Sequence, residues 1–170
     1  MKMKIAALVL VVLLPVLAVT ATYATRPTIG TGKVTLVSHT MVGSSRTVGD
    51  NTIATFKNTF SLTGALTGMA VALERDVTHA SGERSLTTFQ GDANFTGSAG
   101  DVSGKLVIRY VGINNGTFIH GQFVAGSGTG SMADFHGQGS FSGKVGMGLA
   151  LDYTLKWHID PAAVKTKTTA

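Results

Sequence analysis

Leu149-Ala150-Leu151-Asp152-Tyr153-Thr154-Leu155-Lys156-Trp157-His158 alternates large apolar residues with small, polar or charged ones along its whole length. A period of two belongs to a β-strand, whose successive side chains point to opposite faces. Leu149, Leu151, Tyr153, Leu155 and Trp157 are therefore expected on a buried face, and Asp152, Lys156 and His158 on a wet one. The same pattern recurs upstream. Leu106, Ile108 and Tyr110 oppose Lys105, Val107 and Arg109, and Phe56, Phe60 and Leu62 share a face in a strand that Gly64 closes. In Met69–Glu74 the bulkier Met69, Val71 and Leu73 are expected to face inward, which sends Ala70, Ala72, Glu74 and Asp76 outward.

Residues 32–41, 89–97, 117–124 and 137–144 bring the count to about eight strands, the number at which an antiparallel sheet closes naturally into a barrel without exposed edges. Helical periodicity is almost absent. The expected fold class is all-β, a closed eight-stranded antiparallel barrel behind an N-terminal signal helix. Ser81-Gly82, Ala99-Gly100-Asp101 and Asn114-Asn115-Gly116 are expected turns, the last a type I′ hairpin because Asn-Gly supplies positive φ angles. Met132–Phe135 is expected as a short helical turn between two strands.

The glycine-rich stretch Gly126-Ser127-Gly128-Thr129-Gly130 and the following Gly137-Gln138-Gly139 formally invite a dinucleotide-binding reading. That chemistry requires a strand feeding a helix whose free N–H groups face the pyrophosphate, and Gly137 and Gly139 would interrupt any such helix within a turn. Gly126, Gly128, Gly130, Gly137 and Gly139 are instead read as a structural motif marking bends between strands.

Met1-Lys2-Met3-Lys4, the apolar run from Ile5 to Val19, and small residues at Ala21 and Ala24 form a secretory signal pattern. The run is shorter than the roughly 20 residues a spanning helix needs, and Pro15 interrupts it, so cleavage near Ala21 or Ala24 is expected. An uncleaved signal would be the membrane contact. The expected organisation is signal peptide 1–24, linker 25–31, barrel domain 32–160 and a disordered tail 161–170, with a secreted or periplasmic location. The chain contains no cysteine, which excludes disulfides and a thiol nucleophile. Without Lys2 and Lys4, 12 basic residues face 9 acidic ones, and the net charge falls from +5 to +3. No basic stripe interleaves with aromatic residues, so nucleic acid is not an expected partner.

The order Gly100-Asp101-Val102-Ser103-Gly104, Lys105–Val111, Gly126–Gly130, Gly137–Phe141 and Leu151-Asp152-Tyr153-Thr154-Leu155, with Phe60-Ser61-Leu62-Thr63-Gly64 ahead of it, resembles a family of small bacterial proteins. That family is known as a domain of unknown function sharing the allene oxide cyclase-like barrel. The resemblance spans about Gly32 to His158. It implies an eight-stranded antiparallel barrel and, because related cyclase barrels are trimeric, a homo-oligomer. It implies no reaction.

Candidate functional residues are few. His39, His79, His120, His136 and His158 are too scattered for one strand or turn to hold a metal, and no metal or cofactor is expected. No Gly-x-Ser-x-Gly elbow occurs. Two phases are open for residues 117–124. With Phe118 inward, His120 and Gln122 follow it into the interior and, with Tyr110, Tyr153 and Trp157, form the candidate ligand-binding set. The opposite phase buries Ile119 and Phe123, whose greater apolar content favours it. Glu74 and Asp76 lie on one face and form a carboxylate pair of the type used for acid–base chemistry, but the inward assignment of Met69, Val71 and Leu73 places them at the surface. The function expected is an exported barrel that binds a small apolar molecule or serves as an interaction module, without catalytic machinery. The alternative is a cyclase or isomerase acting on a lipid-derived substrate in the cavity.

Overall fold

The computed structural model describes residues 26–81, 84–146 and 148–160, so the expected signal segment and tail lie outside the described residues. Nine strands follow one another: β1 (Thr28–Met41), β2 (Arg46–Val48), β3 (Asn51–Gly64), β4 (Thr67–Ser81), β5 (Arg84–Ala99), β6 (Val102–Asn114), β7 (Phe118–Gly130), β8 (Phe135–Lys144) and β9 (Ala150–Ile159). They form one antiparallel sheet, and no helix occurs among the described residues. Each strand from β3 to β9 pairs with the next. β1 pairs with β9 on one side and β3 on the other, so eight strands complete a ring of hydrogen-bonded pairings.

The short ninth strand, β2, was not expected. β1 leaves β3 after the Met41–Phe56 pair, and β2 takes over the remaining length of β3 from Ile53 to Asn51. Its three residues are too few to carry a period. β1 also begins before the expected boundary, with Thr28 opposite Trp157, because the far end of β9 needs a partner for its backbone groups.

The faces of β4 are the reverse of those expected. Ala70, Ala72 and Glu74 are buried, whereas Met69, Val71 and Leu73 are exposed, Leu73 at 60%. The interior beside β4 is occupied by larger side chains from other strands, Phe60, Phe95 and Tyr110, and small residues fit between them. β6 and β9 keep the expected phase, with Leu106, Ile108, Tyr110, Leu151, Tyr153 and Leu155 buried.

The glycine-rich stretch is not a bend between strands. Gly126, Gly128 and Gly130 lie in β7, and Gly137 and Gly139 lie in β8. Between the Lys105–Thr129 and Val107–Gly126 pairs, β7 carries one residue more than β6, a β-bulge centred on Ser127, which has a φ of 52°. A side chain at Gly128 would run into the Met132 carbonyl oxygen, and Gly130 turns the chain at a φ of 67°. The expected helical turn is a tight non-helical one: Met132 N–H donates to Thr129 C=O and Phe135 N–H to Met132 C=O before β8 begins. Asn115 does not enter the type I′ turn either. Gly116 alone takes a positive φ there, while the Asn115 side-chain oxygen accepts hydrogen bonds from the Thr117 and Phe118 N–H groups.

One end of the ring is filled. Leu66, Phe95, Leu106, Met132, Phe135 and Leu155 are almost fully buried there, and Phe135 stacks on Trp157 with ring centroids 5.3 Å apart. Each such side chain contributes roughly 1.5–3 kcal/mol by leaving water. The other end, towards the β6–β7 and β8–β9 connections, is hollow.

Candidate functional site

A cavity of about 410 Å³ occupies the hollow end. Its wall is mainly apolar, with Leu36, Phe60, Leu62, Phe89, Ile108, Phe123, Phe141 and Leu151 contributing from seven strands and the adjoining loop edges of the ring. Aromatic contacts tie these walls together: Phe89 approaches both Tyr110 and Phe141, and Phe60 meets Tyr110 edge-on at 6.2 Å. Such a volume lies within the range of small-molecule sites, about 300–1,000 Å³.

The polar groups of the cavity are gathered on one side. Alternation along β4 turns Glu74 and Asp76 inward together, Asn58 arrives from β3, His39 from β1 and Tyr110 from β6. The His39 Nδ1 lies 2.8 Å from the Asn58 side-chain oxygen, and the Asn58 amide donates to Glu74 Oε1, also at 2.8 Å. Phe56 stacks on the His39 ring, with centroids 4.0 Å apart, and holds it in this position. Asn58 and Glu74 are buried, so this short chain of contacts is largely removed from water.

Two polar atoms in the cluster have no partner. Asp76 Oδ1 and the Tyr110 hydroxyl are both buried and make no hydrogen bond. Glu74 and Asn58 lie near enough to Tyr110 to influence its ionisation, yet neither meets its hydroxyl at hydrogen-bond distance and angle. An unsatisfied buried polar atom costs about 1–3 kcal/mol, so two in one cavity call for a physical reason.

Burial pushes the Glu74 carboxyl above its ordinary range, while the nearby Tyr110 hydroxyl, the Asn58 amide and the field of His39 pull it back. Burial and then the negative charge of Glu74 raise Asp76 to about 7. Burial, reinforced by Glu74, also raises the Tyr110 phenol, which therefore keeps its proton throughout the physiological range. Crowding two acids together away from water disfavours the doubly charged state, which is why Asp76 keeps its proton up to about 7.

Of the residues singled out from sequence, Tyr110 and Tyr153 line this cavity, and they differ in kind. The Tyr153 hydroxyl accepts the Leu66 N–H at 2.7 Å and lies 3.1 Å from the Thr63 carbonyl, which fastens the β3–β4 turn to the wall. Trp157 packs in the filled end, away from the cavity. Phe118, His120 and Gln122 are on the outside of β7, because Ile119 and Phe123 take the inward phase. His120 and Gln122 border a separate outer groove with Arg75 and Gln90. The inward positions of Glu74 and Asp76 correct their expected surface placement; the signal that could have found them was the small-residue face of Ala70 and Ala72 continuing into two acids. Asn58 carries no sequence signal beyond sharing a face with Phe60 and Leu62.

Other ionisable groups are outside. His136 and His158 stack across β8 and β9 and share Asp160, each at 3.3 Å. His79 contacts Asn51 at 2.6 Å. Among the described residues, no three His, Asp or Glu side chains are arranged to hold a metal ion.

The fold and site define an all-β antiparallel protein with an apolar interior cavity and an acidic cluster on one wall. The chain is similar in structure to a protein of unknown function from the DUF3224 family of Shewanella oneidensis MR-1, with a TM-score of 0.64 and 18% identity. The match covers 80% of this chain and 100% of that one. At that identity the likeness is one of fold. No family model matches the sequence, and no curated protein matches it.

Proposed function

We propose that the ring is a barrel of the allene oxide cyclase-like kind, exported from the cytoplasm, that holds a small and mainly apolar molecule in its interior. The observation that carries this reading is the cavity of about 410 Å³, walled by Leu, Ile and Phe side chains and lying beyond a filled end that closes its floor. Transfer of an apolar ligand surface into such a wall yields roughly 25 cal/mol per Å² before the cost of association is subtracted. Export rests on the basic start and apolar run of residues 1–24.

The test is a titration with N-phenyl-1-naphthylamine, whose fluorescence rises in apolar surroundings. Saturable uptake is expected. Ala93→Phe, which places a ring in the cavity wall, is expected to reduce that uptake at least several-fold while the circular dichroism remains that of a β-protein. Absence of saturable uptake by the unmodified chain would overturn the reading.

A second reading, a cyclase or isomerase acting on a lipid-derived substrate, draws on a different observation: Glu74 and Asp76 side by side in the cavity, with Asp76 raised to about 7. A carboxyl poised near neutrality is suited to proton transfer. A lipid-derived carboxylate, however, would meet two acids and, among the described residues, no Lys or Arg in the cavity wall.

A further inference from the structure

The acidic cluster is built into an otherwise apolar chamber, and its unpartnered atoms have a common requirement. Asp76 Oδ1 can only accept when ionised, and Glu74 uses Oε1 for the Asn58 amide while its other lone pairs stay available. Tyr110 is 8% exposed, faces the cavity, and its hydroxyl has no partner. These three groups together call for a ligand group rich in N–H donors. A neutral hydroxyl offers one donor; an ammonium offers three and also a charge that offsets the buried carboxylates.

We propose that the cavity takes a small amphipathic amine, its apolar body against the Leu and Phe walls and its protonated nitrogen held by Glu74, Asp76 and the Tyr110 hydroxyl. This rests on the reading of the cavity as a ligand site and specifies the chemistry of that ligand. The surrounding charges agree. β4 presents Glu74 and Asp76; on its neighbours, β3 presents Asn58 and Phe60, and β5 presents Thr87 and Phe89, none of them ionisable. Further round, β1 presents His39, β6 presents Tyr110, and β9 presents Tyr153, whose hydroxyl is bound to the β3–β4 turn. Lys57 and Arg75 lie on the outer faces of β3 and β4. His39 Nδ1 is engaged with Asn58, the field of the His39 ring favours the ionised form of both acids, and among the described residues no Lys or Arg lines the cavity wall.

The ammonium takes the place of the proton that the acid pair otherwise holds. Binding therefore releases a proton near neutrality and weakens as the pH falls through the range in which Asp76 protonates. A small hard cation is a poorer occupant, because it needs six or more oxygen ligands, and the rest of the chamber is hydrocarbon.

Isothermal calorimetry on the full-length chain with octylamine, n-octanol and octanoate tests the proposal. Octylamine is expected to bind roughly tenfold or more tightly than n-octanol near pH 8, with octanoate weakest. The amine advantage is expected to shrink as the pH is lowered to about 5 and to disappear in Glu74→Gln and Asp76→Asn, which should still take up n-octanol because the apolar walls are intact. The pH series on the unmodified chain stands independently of whether those variants fold. Equal binding of octylamine and n-octanol, or an amine advantage that does not change with pH, overturns the amine proposal and leaves the apolar-ligand reading in place. Failure of all three probes to bind overturns both.

Discussion

At the scale of single residues, Asp76 is the side chain whose surroundings most change its chemistry. It lies beside Glu74 in a wall of apolar groups, and both circumstances disfavour its charge. A carboxyl raised from an ordinary 3.8 to about 7 binds its proton more tightly in the folded chain than in the unfolded one. Its contribution to stability is then fully present below the unfolded value and is lost as the pH rises through about 7. Asp76→Asn removes the charge while keeping the shape. The variant is expected to melt close to the unmodified chain near pH 4 and roughly 2–4 °C or more above it near pH 8, by differential scanning calorimetry. A melting difference that stays constant across that range would place Asp76 in water.

At the scale of the element, β4 illustrates how alternation leaves the choice of face open. Its sequence contains a bulky face and a small face, and the larger apolar residues of the strand are the exposed ones. The reason lies in other strands, where Phe60, Phe95 and Tyr110 already occupy the interior. Ala72→Asp is therefore expected to cost roughly 3 kcal/mol or more, since the new charge meets no partner in the core. Leu73→Asp is expected to change stability by about 0.5 kcal/mol or less, as a surface substitution. Urea unfolding of the two variants checks this, and the reverse ranking would restore the opposite face assignment. On β9 the large residues do face inward, because Leu151, Tyr153 and Leu155 find room opposite smaller neighbours such as Gly32 and Gly139.

At the scale of the whole molecule, the decisive contact is the seam between β1 and β3. It joins the first strand of the ring to the second and removes the free edges that an open eight-stranded sheet would present. Lys33 and Thr63 are opposite one another across this seam, both exposed, and the chain has no cysteine of its own. Lys33→Cys with Thr63→Cys is expected to give near-complete intramolecular linkage by a short thiol crosslinker, read as a single added mass. The Lys33–Asp152 ion pair lost in that variant is exposed and contributes at most about 1 kcal/mol. Persistence of two unlinked thiols would mean that the ring is open at this seam.

The alternation of Leu149–His158 and of Lys105–Tyr110, with frequent turn residues and no helical period, was enough to establish an all-β antiparallel chain, because strand periodicity is a local property of consecutive residues. The phase of β7 was also within reach, since Ile119 and Phe123 outweigh Phe118, His120 and Gln122 in apolar content. The short β2, the bulge at Ser127 and the inward face of β4 were not. Each depends on what a neighbouring strand leaves available: the length of β3 that β1 does not cover, one residue of mismatch between β6 and β7, and space already taken by aromatic rings. The acidic cluster belongs to the same category. His39, Asn58, Glu74, Asp76 and Tyr110 come from four strands, and only the curvature of the closed sheet turns them towards one chamber, where loss of water rather than residue type determines their chemistry.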